Sequence, residues 1–162
     1  MRERWLGLDP GLALIGWAIL DNIGQEQPQL LDCGTIETDK NCSTSQRLQE
    51  IEKDMIELVH HFNPDRIAIE MPFFGRQIKA AGGVMQAVGV INLVSYRDKA
   101  TDPIFLHQSS WKCHLGNGRA TKEEVACILQ ELFGLEKLPL DDTVDAIGIA
   151  LAALNGVRNE IT

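Results

Sequence analysis

Leu6-Gly7-Leu8-Asp9-Pro10-Gly11, followed by Leu14-Ile15-Gly16-Trp17-Ala18-Ile19-Leu20, is the stretch on which the reading of the fold turns. Apolar runs on either side of a Pro-Gly pair predict two strands joined as a hairpin, with Asp9 closing the first. A third strand, Leu30 to Glu37, completes an antiparallel meander. From Ser43 to Phe62 the residues Leu48, Ile51, Met55, Leu58 and Phe62 recur at helical spacing until Asn63-Pro64 stops the run. That pattern predicts a surface helix with one buried face. Arg66-Ile67-Ala68-Ile69-Glu70, short, apolar and followed by Pro72, predicts a buried strand reached by a helical crossover and therefore parallel to an earlier strand.

Further along, Gln77 to Tyr96 reads as a second helix, carrying Ala80, Ala81, Gly82, Gly83, Ala87 and Gly89. Glycine costs about 1 kcal/mol relative to alanine inside a helix, so this many small residues predict close packing against another backbone. Ile104-Phe105-Leu106 is a fifth strand, Thr121 to Phe133 a third helix, and Thr143 to Leu154 a last helix that is apolar on most sides. The order describes one α/β domain over residues 1–162: a mixed five-stranded sheet, three antiparallel strands and then parallel ones, with helices on its faces.

Composition bounds the function. The 162 residues carry 15 Lys and Arg against 23 Asp and Glu, a net charge of −8, and 44% of them are hydrophobic. A core of useful size fits this length, and two independent domains would be a tight fit. Overall acidity argues against coating nucleic acid or anionic membrane by bulk charge, though it leaves room for a local basic groove. Met1-Arg2-Glu3-Arg4 and the short apolar run ending at Asp9 do not resemble a signal peptide, and no uncharged apolar stretch reaches the ~20 residues of a membrane span. A soluble, cytoplasmic protein with no membrane partner is expected. Cys33, Cys42, Cys113 and Cys127 are scattered, without a Cys-x-x-Cys pair, and read as reduced thiols. His60 and His61, at the end of the first helix, suit a favourable contact with its dipole.

The informative residues are acids at the edges of apolar runs. Asp9 ends the first strand and Glu70 the fourth, and in open α/β sheets ligands bind at the carboxyl ends of strands. Asp142 and Asp145, three residues apart, project from one side of a helix start. Taken singly, Asp9 could open a turn, Glu70 could be a solvated strand end, and Asp142-Thr143-Val144-Asp145 could be a cap with an acid in the first turn. Asp141 fits that capping role better than a metal role. Taken together, four converging carboxylates are strongly repulsive without cations, and hard divalent ions such as Mg²⁺ explain such a cluster.

The joint pattern resembles the RuvC-type Holliday-junction resolvases of the ribonuclease H-like superfamily. Gly7-Leu8-Asp9-Pro10-Gly11 with Gly16-Trp17-Ala18 is similar to that family's opening, and Ala68-Ile69-Glu70, Phe73, Gln86-Ala87 and Gly89 to its second motif and following helix. Lys112, the Gly116-Asn117-Gly118 loop, Lys122 and Asp142-x-x-Asp145-Ala146 with Ile149-Ala150 are similar to the third and fourth motifs. The resemblance runs in order over almost the whole chain. It implies a ribonuclease H-like sheet, Asp9, Glu70, Asp142 and Asp145 as metal-binding catalytic acids, and two-metal phosphodiester hydrolysis with Mg²⁺, for which Mn²⁺ can substitute. It further implies phosphate binding or transition-state support by Lys112 and Lys122, and an aromatic wedge at Phe73, with Phe74 beside it, stacking on unpaired bases. Such stacking is worth ~1–3 kcal/mol per base. Arg76, Lys79 and Arg119 join these residues as candidate DNA contacts. The implied partners are a four-way DNA junction, a second copy of the chain docked through the helix Gln77 to Tyr96, and a branch-migration motor. Trp111, Cys113 and His114 around Lys112, the extra acid Asp141, and Pro72 and Gly75 after Glu70 depart from the family's pattern.

Two other readings compete. YqgF-like RNA-processing nucleases share the Gly-Leu-Asp opening, but Glu70 after Ala68-Ile69 and the aromatic Phe73 favour the resolvase. A non-catalytic branched-DNA binding protein would have no use for acids at all four motif positions. Sugar kinases and actin-like ATPases open on a related turn but need two such domains to enclose a nucleotide. Charge placement agrees with a nucleic-acid substrate: between Asn63 and Lys122, eight basic residues face four acids in a chain whose total is −8.

Overall fold

A computed structural model describes residues 2–24, 26–72, 78–99, 101–137 and 139–159, with the backbone alone for 78–80. Three antiparallel strands come first, β1 (Glu3–Asp9), β2 (Leu14–Asn22) and β3 (Gln29–Glu37). Helix α1 (Thr44–Phe62) then crosses to β4 (Arg66–Glu70), and α2 (Ile78–Lys99) to β5 (Ile104–Leu106). Three helices close the chain: α3 (Gln108–His114), α4 (Lys122–Phe133) and α5 (Asp141–Leu154). The strand order is β3-β2-β1-β4-β5, with β4 parallel to both β1 and β5. This is the mixed sheet expected, and the pair of acids at the ends of β1 and β4 lies on adjacent strands.

Local chemistry sets the element ends. Ser43 caps α1 in a reciprocal box with Gln46, and Asn63 ends the helix in the left-handed region at φ 46°. Thr121 and Glu124 form the same box at the start of α4, and Gly134 closes it at φ 61°. The elements depart from the sequence reading mainly at three helices, and α2 runs on to Lys99 instead of ending at Tyr96. Helix α3 was not expected, because seven residues are too few to show a period. Helix α5 starts at Asp141, not Thr143, with Leu140 at the cap position and no side-chain cap bond, so Asp141 is a first-turn acid and not the cap.

Alternation along the strands divides the core in two. Leu6 and Leu8 of β1 and Ile67 and Ile69 of β4 pack under α1 and α2, with Ile51, Met55, Val59, Ile91 and Val94. Trp5 and Ala68 face the other way, onto Val125 and Leu129 of α4 and Val144, Ala146, Ile147 and Ala150 of α5. Burying each large aliphatic side chain is worth about 1.5–3 kcal/mol, so both layers are held by many such contacts. A period of two then puts Asp9 and Glu70 on the α5 side of the sheet, as successors of Gly7 and Ala68.

Small residues let α5 lie close. A Cβ on Gly7 would overlap the Ala146 carbonyl oxygen, and one on Gly16 the Asp142 carbonyl oxygen. Ala18, paired with Gly7 across the β1–β2 ladder, and Ala68, paired with Gly7 across β1–β4, complete a lane without bulk. The lane places the first turns of α5 directly over the strand ends. No helix among the described residues is long and apolar enough to cross a membrane.

Candidate active site

Asp9, Glu70 and Asp145 each offer a carboxylate oxygen, and these oxygens all lie within 4.8 Å of one another. Three elements deliver them. The parallel register sets Leu8 opposite Ile69, which brings the next residues, Asp9 and Glu70, side by side. Asp145, only 8% exposed, comes from the second turn of α5 across the small-residue lane. Asp9 and Glu70 are half-buried.

The electrostatics are those of a site short of positive charge. Burial first, and then the Glu70 and Asp145 carboxylates, push the Asp9 carboxyl up to about 7, and a hydrogen bond between the Asp9 and Asp145 side chains works in the same direction. Burial also raises the Glu70 carboxyl; a bond from Trp111 opposes this, Asp145 adds to it, and Lys112 and Lys122 draw it down. Lys122 acts likewise on Asp9. Three hard oxygen donors this close, with burial and mutual repulsion raising the Asp9 and Glu70 carboxyls, fit a divalent cation.

The lysines flank the acids. Lys112 is on α3 and Lys122 is the first residue of α4, both half-buried. Arg119 is exposed in the loop between these helices, where its backbone N–H donates to Asn117 Oδ1 at 2.9 Å. Asp142 stands apart from the group of three: its carbonyl rests on Gly16 while its side chain is exposed in the first turn of α5. Phe73, Phe74 and Arg76 lie outside the described residues, as does the Lys79 side chain.

Sequence reasoning missed one residue of the site. The Trp111 indole Nε1–H donates to Glu70 Oε2 at 2.7 Å, and the ring is wholly buried. The only signal was a tryptophan next to Lys112, in a segment too short to reveal its helix. Asn159 fixes where α3 begins, accepting from the His107 N–H at 3.0 Å and donating to the Phe105 carbonyl at 2.9 Å.

Acids closing two adjacent parallel strands, met by a third acid on a helix laid over a β3-β2-β1-β4-β5 sheet, define a nuclease of the ribonuclease H-like class. A family profile described as crossover junction endodeoxyribonuclease RuvC matches residues 5–153. The crossover junction endodeoxyribonuclease RuvC of Synechocystis sp. is 67% identical, over 98% of this chain and 95% of its own length. That of Halothermothrix orenii is 33% identical over 94% and 93%. The chain belongs to the RuvC family of crossover junction endodeoxyribonucleases. Thermus thermophilus RuvC, solved in complex with a Holliday junction substrate, matches the fold with a TM-score of 0.86 at 27% identity, over 96% of this chain and 98% of that one. The yeast mitochondrial Holliday junction resolvase Ydc2 shares the fold at 15% identity, with a TM-score of 0.65 over 91% of this chain and 77% of its own.

Proposed function

We propose that this chain resolves four-way DNA junctions in recombination and repair, nicking two strands symmetrically by metal-dependent phosphodiester hydrolysis. The observation that carries the reading is the approach of the Asp9, Glu70 and Asp145 oxygens to within 4.8 Å. Ligands about 2.1 Å from a common Mg²⁺ are at most about 4.2 Å apart, so a small contraction of the cluster suffices. Two Mg²⁺ ions, or Mn²⁺, held by these acids would neutralise charge on the scissile phosphate and lower the pKa of a water. Asp142, one turn before Asp145 and open to solvent, is the fourth acid of the proposed set. Lys112 and Lys122 hold the phosphate or steady charge developing in the transition state. Phe73 and Phe74 stack on unpaired bases, and Arg76, Lys79 and Arg119 contact the backbone.

The substrate choice is supported by the Thermus relative, which is solved with a Holliday junction. Symmetric nicking asks for two sites, and α2 supports a homodimer through Gln77 to Tyr96. Gly82, Met85, Gly89, Leu93 and Tyr96 repeat every three or four residues along one exposed face, with nothing beside Gly82 or Gly89 and Leu93 and Tyr96 more than half exposed. A branch-migration motor would be the further partner that delivers junctions to this pair. Purified protein with Mg²⁺ is expected to cut a synthetic four-way junction, while Asp9→Asn and Glu70→Gln bind it uncut. Equal cutting of linear duplex would overturn junction selectivity, and junction binding by the wild-type chain without any cutting would favour a binding protein.

A further inference from the structure

Trp111 joins three elements at the acid cluster. Its ring, at 0% exposure on α3, packs where Gly148 leaves room: a Cβ there would come within 2.6 Å of the ring. Gly148 is one turn after Asp145 on α5, so the indole abuts the helix that carries one acid. Its Nε1–H donates at 2.7 Å to Oε2 of a second acid, Glu70 on β4. The Lys112 ammonium folds back over the same ring, 5.6 Å from its centroid. Cations near an aromatic face are attracted to it, which orders the lysine.

A buried indole has one donor and cannot leave it unpaired cheaply, and a carboxylate with one oxygen in a charge-assisted bond loses its freedom to rotate. We propose that Trp111 is a positioning residue for the metal site, holding Glu70 by Oε2 so that its other oxygen is presented to the cation, and setting Lys112 beside it. This rests on the reading of Asp9, Glu70 and Asp145 as a divalent-cation site. Partners that orient metal ligands typically contribute 10–100-fold to metal affinity or activity.

The test compares Mg²⁺ binding by calorimetry in wild-type protein and Trp111→Phe, which keeps an aromatic ring and removes the N–H, at a temperature where both are folded. Mg²⁺ affinity is expected to fall about tenfold in Trp111→Phe. In parallel, the indole N–H resonances of unmutated protein are followed by heteronuclear NMR during Mg²⁺ titration. The Trp111 signal is expected to move, while those of Trp5 and Trp17, which do not touch the acids, serve as controls. If wild-type protein binds no Mg²⁺, the cation-site reading itself fails. If it binds and the variant binds equally well, or the Trp111 signal stays still, the positioning role is overturned. Should Trp111→Phe not fold, the resonance decides alone.

Discussion

Asp9 combines a catalytic assignment with a stability cost. Its carboxyl is pushed up to about 7 in the folded chain, whereas an unfolded aspartate titrates near 3.9. A raised carboxyl contributes stability that is fully present below the unfolded value and is lost as pH rises through the folded one. The metal-free protein is therefore expected to melt lower at about pH 8 than at about pH 5, with roughly 2–3 kcal/mol at stake between them. At this chain length each kcal/mol corresponds to about 2–4 °C. Asp9→Asn is expected to flatten the dependence and to raise the melting temperature at pH 8 in EDTA by several degrees, while abolishing cleavage. Saturating Mg²⁺ is expected to flatten it in the wild type, since cation and proton compete for the same carboxylate. Thermal melts across pH, with and without metal, check this; a metal-free melting temperature that rose with pH would contradict it.

Among the elements, the contact of α5 with β1 and β2 decides whether there is a site at all. Gly7 and Gly16 carry that contact, because any Cβ there meets backbone carbonyl oxygens of α5, which cannot rotate away. Gly7→Ala is expected to cost about 1–3 kcal/mol and to lower the cleavage rate together with stability, as α5 and Asp145 lift from Asp9. Melting and cleavage measured on one preparation check it, and an unchanged melting temperature would mean that α5 does not depend on this approach. Much of this was legible in the sequence. The hairpin at Pro10-Gly11, the crossover through α1 and the period of two along Gly7-Leu8-Asp9 and Ala68-Ile69-Glu70 follow from local pattern, and they put two acids on one face. What local pattern could not tell was how far α5 extends. Its start at Asp141 seats the Asp142 carbonyl on Gly16 and leaves that side chain exposed, so equal spacing of Asp142 and Asp145 did not translate into equal placement. The Trp111–Glu70 bond escaped for a related reason: it joins residues 41 apart in the chain.

For the whole molecule, net charge and symmetry are the two constraints. A total of −8 argues against adhesion to DNA by bulk charge, whereas Lys112 and Lys122 put positive charge beside the acids themselves. The α2 stripe is the proposed dimer face: replacing Leu93 and Tyr96, 58% and 54% exposed, by glutamate is expected to yield a folded monomer by sedimentation, with junction cutting reduced at least tenfold. Substituted protein that remained a dimer would exclude α2 as the interface, and a monomer that still cut symmetrically would exclude the need for a dimer. The most direct test of the account as a whole is cleavage of a strand-labelled four-way junction beside a linear duplex of the same sequence, in Mg²⁺, by wild-type protein and by Glu70→Gln. The account predicts paired nicks in the junction alone, made by the wild type alone; nicks in both substrates, or nicks that persist in Glu70→Gln, would contradict it.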